Sequence, residues 1–202
     1  MAPTIPERFD REARRLGALF LAGPRLVVIG STDFWHRDSE RTCTHVGRLL
    51  TDIPDLVLIT GGVEGIGEAT GRSFFQARRE SGQEPRVYHV LPEGEVAWDY
   101  GETHFTGSDM AERREVLARL SDVYLAIEGG PGTVHEAEVA AARNATIIPV
   151  GRSGGHSAVL YARMQRPAVV DEPTWAILGA EKSTPEETAL AALRAVRSSL
   201  QA

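Results

Sequence analysis

The chain is poor in residue types that would each announce a chemistry. One cysteine, Cys43, in 202 residues excludes an intrachain disulfide and a thiolate metal cluster, and suits a reducing compartment. One lysine, Lys182, lies outside the glycine-rich turns, which argues against pyridoxal phosphate held as a lysine Schiff base. The six histidines (His36, His45, His89, His104, His135, His156) show no ligand spacing such as H-E-x-x-H, so no metal is expected. Apolar runs fall short of the ~20 residues a membrane span needs. The N-terminus, with Glu7, Asp10 and Glu12, lacks the apolar stretch of a signal peptide. Surplus positive charge is also missing, since 22 basic and 28 acidic residues leave a net charge of −6. Non-specific nucleic-acid binding depends on neutralising phosphates with such a surplus. No nucleic-acid or membrane partner is therefore expected, DNA processing included, while a local basic pocket for a small anion stays open. What is present, 42% hydrophobic and 25% charged residues, describes a cytoplasmic domain able to bury a sizeable core.

Thr4-Ile5-Pro6-Glu7 reads as a capping box with proline in the first turn. Phe9, Ala13, Leu16 and Phe20 follow at helical spacing, up to a stop at Gly23-Pro24. Short β-branched runs at 25–31, 56–59, 86–91, 123–127 and 146–150 read as buried parallel strands, with a short sixth at Ala168-Val169-Val170. Helices are expected at 40–50, through Ala69, Phe74 and Ala77, and after the capping pair Asp109 and Glu112. Two more follow: one with Val134, Ala137 and Ala141 as its buried stripe, and one opened by Thr184-Pro185-Glu186-Glu187 that carries Ala189, Leu193, Val196 and Leu200. The stretch 92–107 has no period and reads as a long loop. This alternation predicts an α/β, doubly wound, Rossmann-like parallel sheet with helices on both faces. A single domain over 1–202 is expected, with a core at about 25–151 and flanking helices at 1–23 and 184–202.

Ligands of such sheets sit beyond the carboxyl ends of the strands, and two glycine clusters lie there. The first is Thr60-Gly61-Gly62-Val63-Glu64-Gly65-Ile66-Gly67, after the second strand; the other is Gly129-Gly130-Pro131-Gly132-Thr133, after the fourth. Glycine permits close backbone approach, and a following helix start offers free N–H groups, so each cluster is either a phosphate cradle or a tight turn. Two at matching strand ends favour a ligand. Neither reads G-x-G-x-x-G or continues into Gly-Lys-Ser/Thr, so dinucleotide and Walker readings lose support.

Met110-Ala111-Glu112-Arg113-Arg114, followed after strand 123–127 by Glu128-Gly129-Gly130-Pro131-Gly132-Thr133-Val134-His135-Glu136, resembles the LOG family. Its signature is M-x-x-R-K, then P-G-G-x-G-T-x-x-E. Thr60 to Ala69 is similar to that family's T-G-G-G-P-G-I-M-E-A turn, and Val28-Ile29-Gly30-Ser31 fits its first strand. The resemblance covers about 25–151. Characterised members are cytokinin riboside 5′-monophosphate phosphoribohydrolases, within a Rossmann-type SLOG superfamily that also holds molybdenum cofactor carriers and nucleotide sensors.

The resemblance implies hydrolysis of the N-glycosidic bond of an AMP-like nucleotide, without a cofactor, by a homodimer. Arg113 and Glu136 would be catalytic. Ser31, Gly61, Gly62, Gly65, Gly129, Gly130, Gly132, Thr133 and Arg114 would bind phosphate or nucleotide. A carboxylate beside that bond would stabilise oxocarbenium character and position water; alone, Glu136 could equally complement the helix dipole, and Arg113 could be solvated. Three departures stand out: Glu128 for the signature proline, Arg114 for lysine, and Val63 for glycine. The first would place negative charge beside the phosphate. It keeps open a carrier or sensor that binds a phosphorylated nucleotide or molybdenum cofactor without turnover. Trp98, Tyr100, His104 and Phe105 would either meet a base or pack their loop, and Phe34 and Trp35 are weighed alike. Gly151 to Gly155 would be a polar rim or a turn, Ser31 a ligand contact or a cap, and Cys43 an inert packing residue.

Overall fold

The computed structural model describes residues 5–202, so the capping box expected around Thr4 lies outside the described residues. In chain order the elements are α1 (Ile5–Gly17), β1 (Arg25–Gly30), α2 (Ser39–Leu50), β2 (Val57–Thr60), α3 (Ile66–Glu80), β3 (Val87–Leu91), β4 (Glu102–Phe105), α4 (Met110–Leu117), β5 (Val123–Ile127), α5 (Pro131–Ala142), β6 (Thr146–Val150), α6 (Gly155–Arg163), α7 (Glu172–Gly179) and α8 (Pro185–Leu200). The six strands form one sheet in the order β4-β3-β2-β1-β5-β6. Every neighbouring pair is parallel. The chain starts in the middle, winds outward to β4, then returns to lay β5 on the free side of β1. The crevice between β1 and β5 is therefore the topological switch point, where such sheets take ligands.

Alternation along the strands builds two cores. Leu26, Val28, Leu58 and Leu125 pack beneath α2, α3, α7 and α8, with Phe74 and Leu193 among the buried side chains. Val27, Ile29, Ile59 and Ala126 face the opposite way, against α1, α4 and α5. Phe9, Ala13, Leu16 and Phe20 are all buried in that second layer, as their spacing predicts. The helix itself ends at Gly17, before Gly23-Pro24, because its last apolar anchor, Phe20, packs from the following turn onto Tyr88. Helix α8 opens on the expected capping box, with Thr184 Oγ1 accepting from the Glu187 N–H and the Glu187 carboxylate from the Thr184 N–H.

Two expectations need correction. The stretch 92–107 contains β4, paired in register Tyr88↔Glu102 to Leu91↔Phe105. It is a four-residue edge strand, partly exposed along its length, so it carries none of the apolar continuity that marks the buried strands. Ala168-Val169-Val170 is a turn, with only Val170 buried; the sheet already ends at β6, and α6 and α7 occupy this part of the chain instead. Among the described residues no helix is long and apolar enough to cross a membrane.

His89 joins the sheet to the segment before β4. Its Nδ1 lies 2.8 Å from Thr60 Oγ1, and its Nε2 lies 3.0 Å from the Tyr100 carbonyl. Burial lowers its pKa from 6.5 to about 4. The unfolded chain takes up a proton that the folded protein refuses, so stability present above pH 6.5 is lost as the pH falls towards 4. The loss is on the order of 3 kcal/mol at most. His89→Asn is expected to flatten this part of the profile, read as urea midpoints across that pH range; an unchanged slope would locate the acid sensitivity elsewhere.

Candidate active site at the switch point

The turn after β5 is built for close approach. Gly129 sits at φ +102°, and a β-carbon there would stand 2.6 Å from the Thr133 side chain. Gly130 is the N-cap of α5 and Pro131 its first residue. The first N–H groups of a helix have no intrahelical acceptor, so those of Gly132 and Thr133 offer donors at the positive end of the dipole. Thr133 Oγ1 donates to the Gly30 carbonyl at 3.1 Å, tying α5 to the end of β1. The crevice in front of this helix start is a cavity of about 220 Å³.

Arg113 and Glu136 meet inside it. Arg113 Nη1 donates to Glu136 Oε1 at 2.7 Å, and both side chains are almost fully buried. Burial pushes the Glu136 carboxyl upward, opposed by the positive charges of Arg113 and Arg114. Burial also lowers Arg113, although a guanidinium does not lose its proton in proteins. Among the described residues Arg113 Nε has no hydrogen-bond partner, leaving it a donor in reserve. The guanidinium lies over Gly61, where a β-carbon would be 2.9 Å from Nη1. Arg114 lies over Gly132 in the same way, with Nε at 2.8 Å.

The buried stripe of α5 differs from the expected one. Thr133, Glu136, Ala137 and Ala140 are buried, while Ala141 is exposed. Apolarity alone placed Glu136 outside; the guanidinium facing it is what allows a carboxylate inside. His135, next in sequence, turns away to pair with Glu115 at 2.7 Å.

Of the residues expected to touch ligand, Ser31, Gly61, Arg113, Arg114, Gly130, Gly132, Thr133 and Glu136 line the cavity. Gly62, Gly65 and Gly129 are not among the lining residues. Gly62 accepts the Trp98 indole N–H on its carbonyl at 2.7 Å, and Gly65 is the N-cap of α3 against the carbonyls of Ser31 and Thr32. The Glu128 carboxylate does not line the cavity either. It accepts from the Ser31 hydroxyl and from the N–H groups of Trp35 and His36. The charge expected beside the phosphate is thus turned into the connection between β1 and α2, because three donors wait there.

Trp35, Met110, Thr32, Val63 and Gly67 are also among the lining residues. Trp35 is one of the aromatics whose importance the sequence left undecided, its only signal being an aromatic in a polar segment. Trp98 and Tyr100 pack their own loop, with Tyr100 donating to the Glu68 carbonyl at 3.2 Å and stacking edge-on with His89. Cys43 is buried, and desolvation pushes its thiol to about 12, which makes it the inert residue expected.

Known proteins share this architecture. A family model described as the SLOG cluster4 family matches residues 24–174. The X-ray structure of TM1055, a structural genomics target, superposes with a TM-score of 0.60 at 25% identity, covering 76% of this chain and 89% of that one. The molybdenum cofactor carrier protein of Chlamydomonas reinhardtii superposes at 0.51 with 22% identity, over 62% of this chain and 75% of that one. The molybdenum cofactor binding protein of Rippkaea orientalis gives 0.52 and 21%, over 63% and 76%. No curated protein matches the sequence.

Removing one half of the buried pair leaves the other uncompensated. Arg113→Ala is expected to destabilise the protein by about 3–5 kcal/mol, whereas replacing both members by apolar residues, as in Arg113→Met with Glu136→Leu, recovers most of the loss. Urea denaturation of the single and double variants measures it, and additive losses would show that the two charges do not compensate each other.

Proposed function

The chain belongs to the SLOG cluster4 family, and from that premise we propose that it hydrolyses the N-glycosidic bond of a nucleoside 5′-monophosphate, releasing base and ribose 5-phosphate. The observation that carries the reading is the Arg113–Glu136 pair, 2.7 Å apart in a cavity closed by the N-terminus of α5. The phosphate would lie on the free N–H groups of that helix start, with Arg114 beside it. The ribose would then extend toward Glu136.

In this reaction water attacks C1′ as the bond from C1′ to the base nitrogen breaks. Glu136 orients that water, takes its proton and stabilises the positive charge developing on the sugar. The leaving base gains its proton from solvent. Arg113 opposes the upward push of burial on Glu136 and fixes the orientation of its carboxyl group.

A carrier that holds a phosphorylated ring such as the molybdenum cofactor without turnover would use the same anion cradle. Two of the similar structures are molybdenum cofactor proteins. Such a carrier has no task for a buried carboxylate ion-paired in the cavity, and for that reason hydrolysis is preferred. A homodimer accompanies the proposal, and light scattering in solution checks it.

Incubation with AMP and with N6-substituted cytokinin ribotides is expected to yield free base and ribose 5-phosphate. Glu136→Gln is expected to lower kcat by about 10²-fold or more while AMP affinity stays within a few-fold. Tight binding without any base release would leave the carrier; wild-type release equal to that of Glu136→Gln would remove Glu136 from the chemistry.

A further inference from the structure

Glu128 stands where β5 turns into the glycine loop, fully buried and at φ +56°. Its own backbone is fixed from behind. The N–H donates to Ser153 Oγ at 2.8 Å, and the carbonyl accepts from the Ser157 N–H at 3.0 Å and the Ser157 hydroxyl at 2.8 Å. From this post the carboxylate reaches across to the connection between β1 and α2. It accepts from the Ser31 hydroxyl, from the Trp35 N–H at 3.0 Å and from the His36 N–H at 2.7 Å. The far end of that connection is pinned by Arg152, buried, to Asp38 at 3.0 Å.

The result is the placement of one side chain. A β-carbon added at Gly130 would stand 3.3 Å from Trp35 Cη2, and one at Gly155 would stand 2.9 Å from Trp35 Cζ3. The indole edge is therefore laid against the start of α5. The residue is nevertheless 56% exposed, and it lines the cavity that Glu136 and Gly132 line. A large apolar ring is thus held at the mouth of an anion cradle without being drawn into either core. Proline, which the resembling signature has at position 128, would supply neither the N–H to Ser153 nor the carboxylate to the loop, and its ring forbids positive φ.

We propose that Trp35 is a stacking platform for the heteroaromatic base of the nucleotide, and that Glu128 is the positioning residue that holds it over the cradle. The inference rests on the nucleotide reading above, since it needs a planar ring joined to a phosphate seated on α5. Base-on-indole stacking is tolerant of ring identity because every base presents a π-face. Trp35 accordingly contributes affinity for the base and nothing to the sugar phosphate.

The test compares AMP with ribose 5-phosphate, which keeps the phosphate and sugar but has no ring. Trp35→Ala, a surface change that leaves both cores intact, is expected to weaken AMP binding about tenfold and to raise KM with kcat within twofold. Ribose 5-phosphate affinity should not move, and Trp35→Phe should recover most of the AMP affinity. Glu128→Ala should reproduce the Trp35→Ala loss, and hydrogen exchange at the Trp35 and His36 amides should accelerate in it. Wild-type AMP affinity in Trp35→Ala, or an equal loss for ribose 5-phosphate, overturns the platform; unchanged amide exchange in Glu128→Ala overturns the positioning role. If AMP binding falls in Trp35→Ala although the wild type releases no base, hydrolysis fails and the platform stands. Base release with unchanged affinity and KM in Trp35→Ala sinks the platform alone, and absence of AMP binding by the wild type overturns both.

Discussion

Burying a carboxylate costs several kcal/mol unless a partner compensates it, and at Glu136 the compensation is a guanidinium 2.7 Å away on a different helix. Much of the local structure follows from that requirement. Arg113 must project from α4 across the end of β2, so α4 is pressed into the layer it shares with α1 and α5. The residue beneath its guanidinium must be glycine, and Gly61 is. Helix α5 must turn its first turn into the crevice rather than lay an apolar stripe flat on the sheet, and its buried face accordingly includes Thr133 and Glu136. The ion pair thus joins the turns after β2 and β5, which lie on opposite sides of β1, into a single site.

The second buried carboxylate of this region is satisfied differently. Glu128 receives neutral donors, a hydroxyl and two backbone N–H groups, where Glu136 receives a full positive charge. Hydrogen bonds from backbone amides are directional and fix chain conformation, whereas an ion pair fixes charge. The two glutamates therefore divide the work. One holds a segment of chain in place at the mouth of the cavity; the other pairs with the guanidinium inside it. They are separated by a turn and a half of glycine-rich chain and α5, which is why one strand end can supply both.

The fold was legible wherever burial was two-sided. Runs such as Leu26 to Ile29 and Leu125 to Ile127 are apolar on both faces because helices cover both, and they read as parallel strands without ambiguity. The edge strand β4 was not legible, since Glu102 and Thr103 meet a neighbour on one side only. The glycine turns and the residues Arg113 and Glu136 were legible from their spacing and their resemblance to a known motif. Their supporting geometry was not. Periodicity put Glu136 off the buried stripe because it counts apolar residues and cannot see a cation arriving from 23 positions away. The same blindness applied to Glu128, whose partners Ser31, Trp35 and His36 lie more than 90 positions earlier.

The near-absence of lysine acquires a meaning in this light. All but one of the 22 basic residues are arginine, and three of them rest against glycine backbone: Arg113 on Gly61, Arg114 on Gly132 and Arg25 on Gly17, each with a guanidinium nitrogen within 3 Å of where a β-carbon would be. A planar guanidinium can lie flat on a bare peptide and still donate from its edge, as Arg25 does to the Gly17 carbonyl at 2.6 Å. An ammonium, a compact and strongly hydrated point charge, does neither well. Glycine is usually read as freedom for the backbone. At positions 61 and 132 its value lies in the missing side chain, because the vacated space is where the cations of the site are seated. Enlarging either glycine would displace the arginine above it, so the glycine turns and the arginine pair of α4 form one device rather than two motifs that happen to meet.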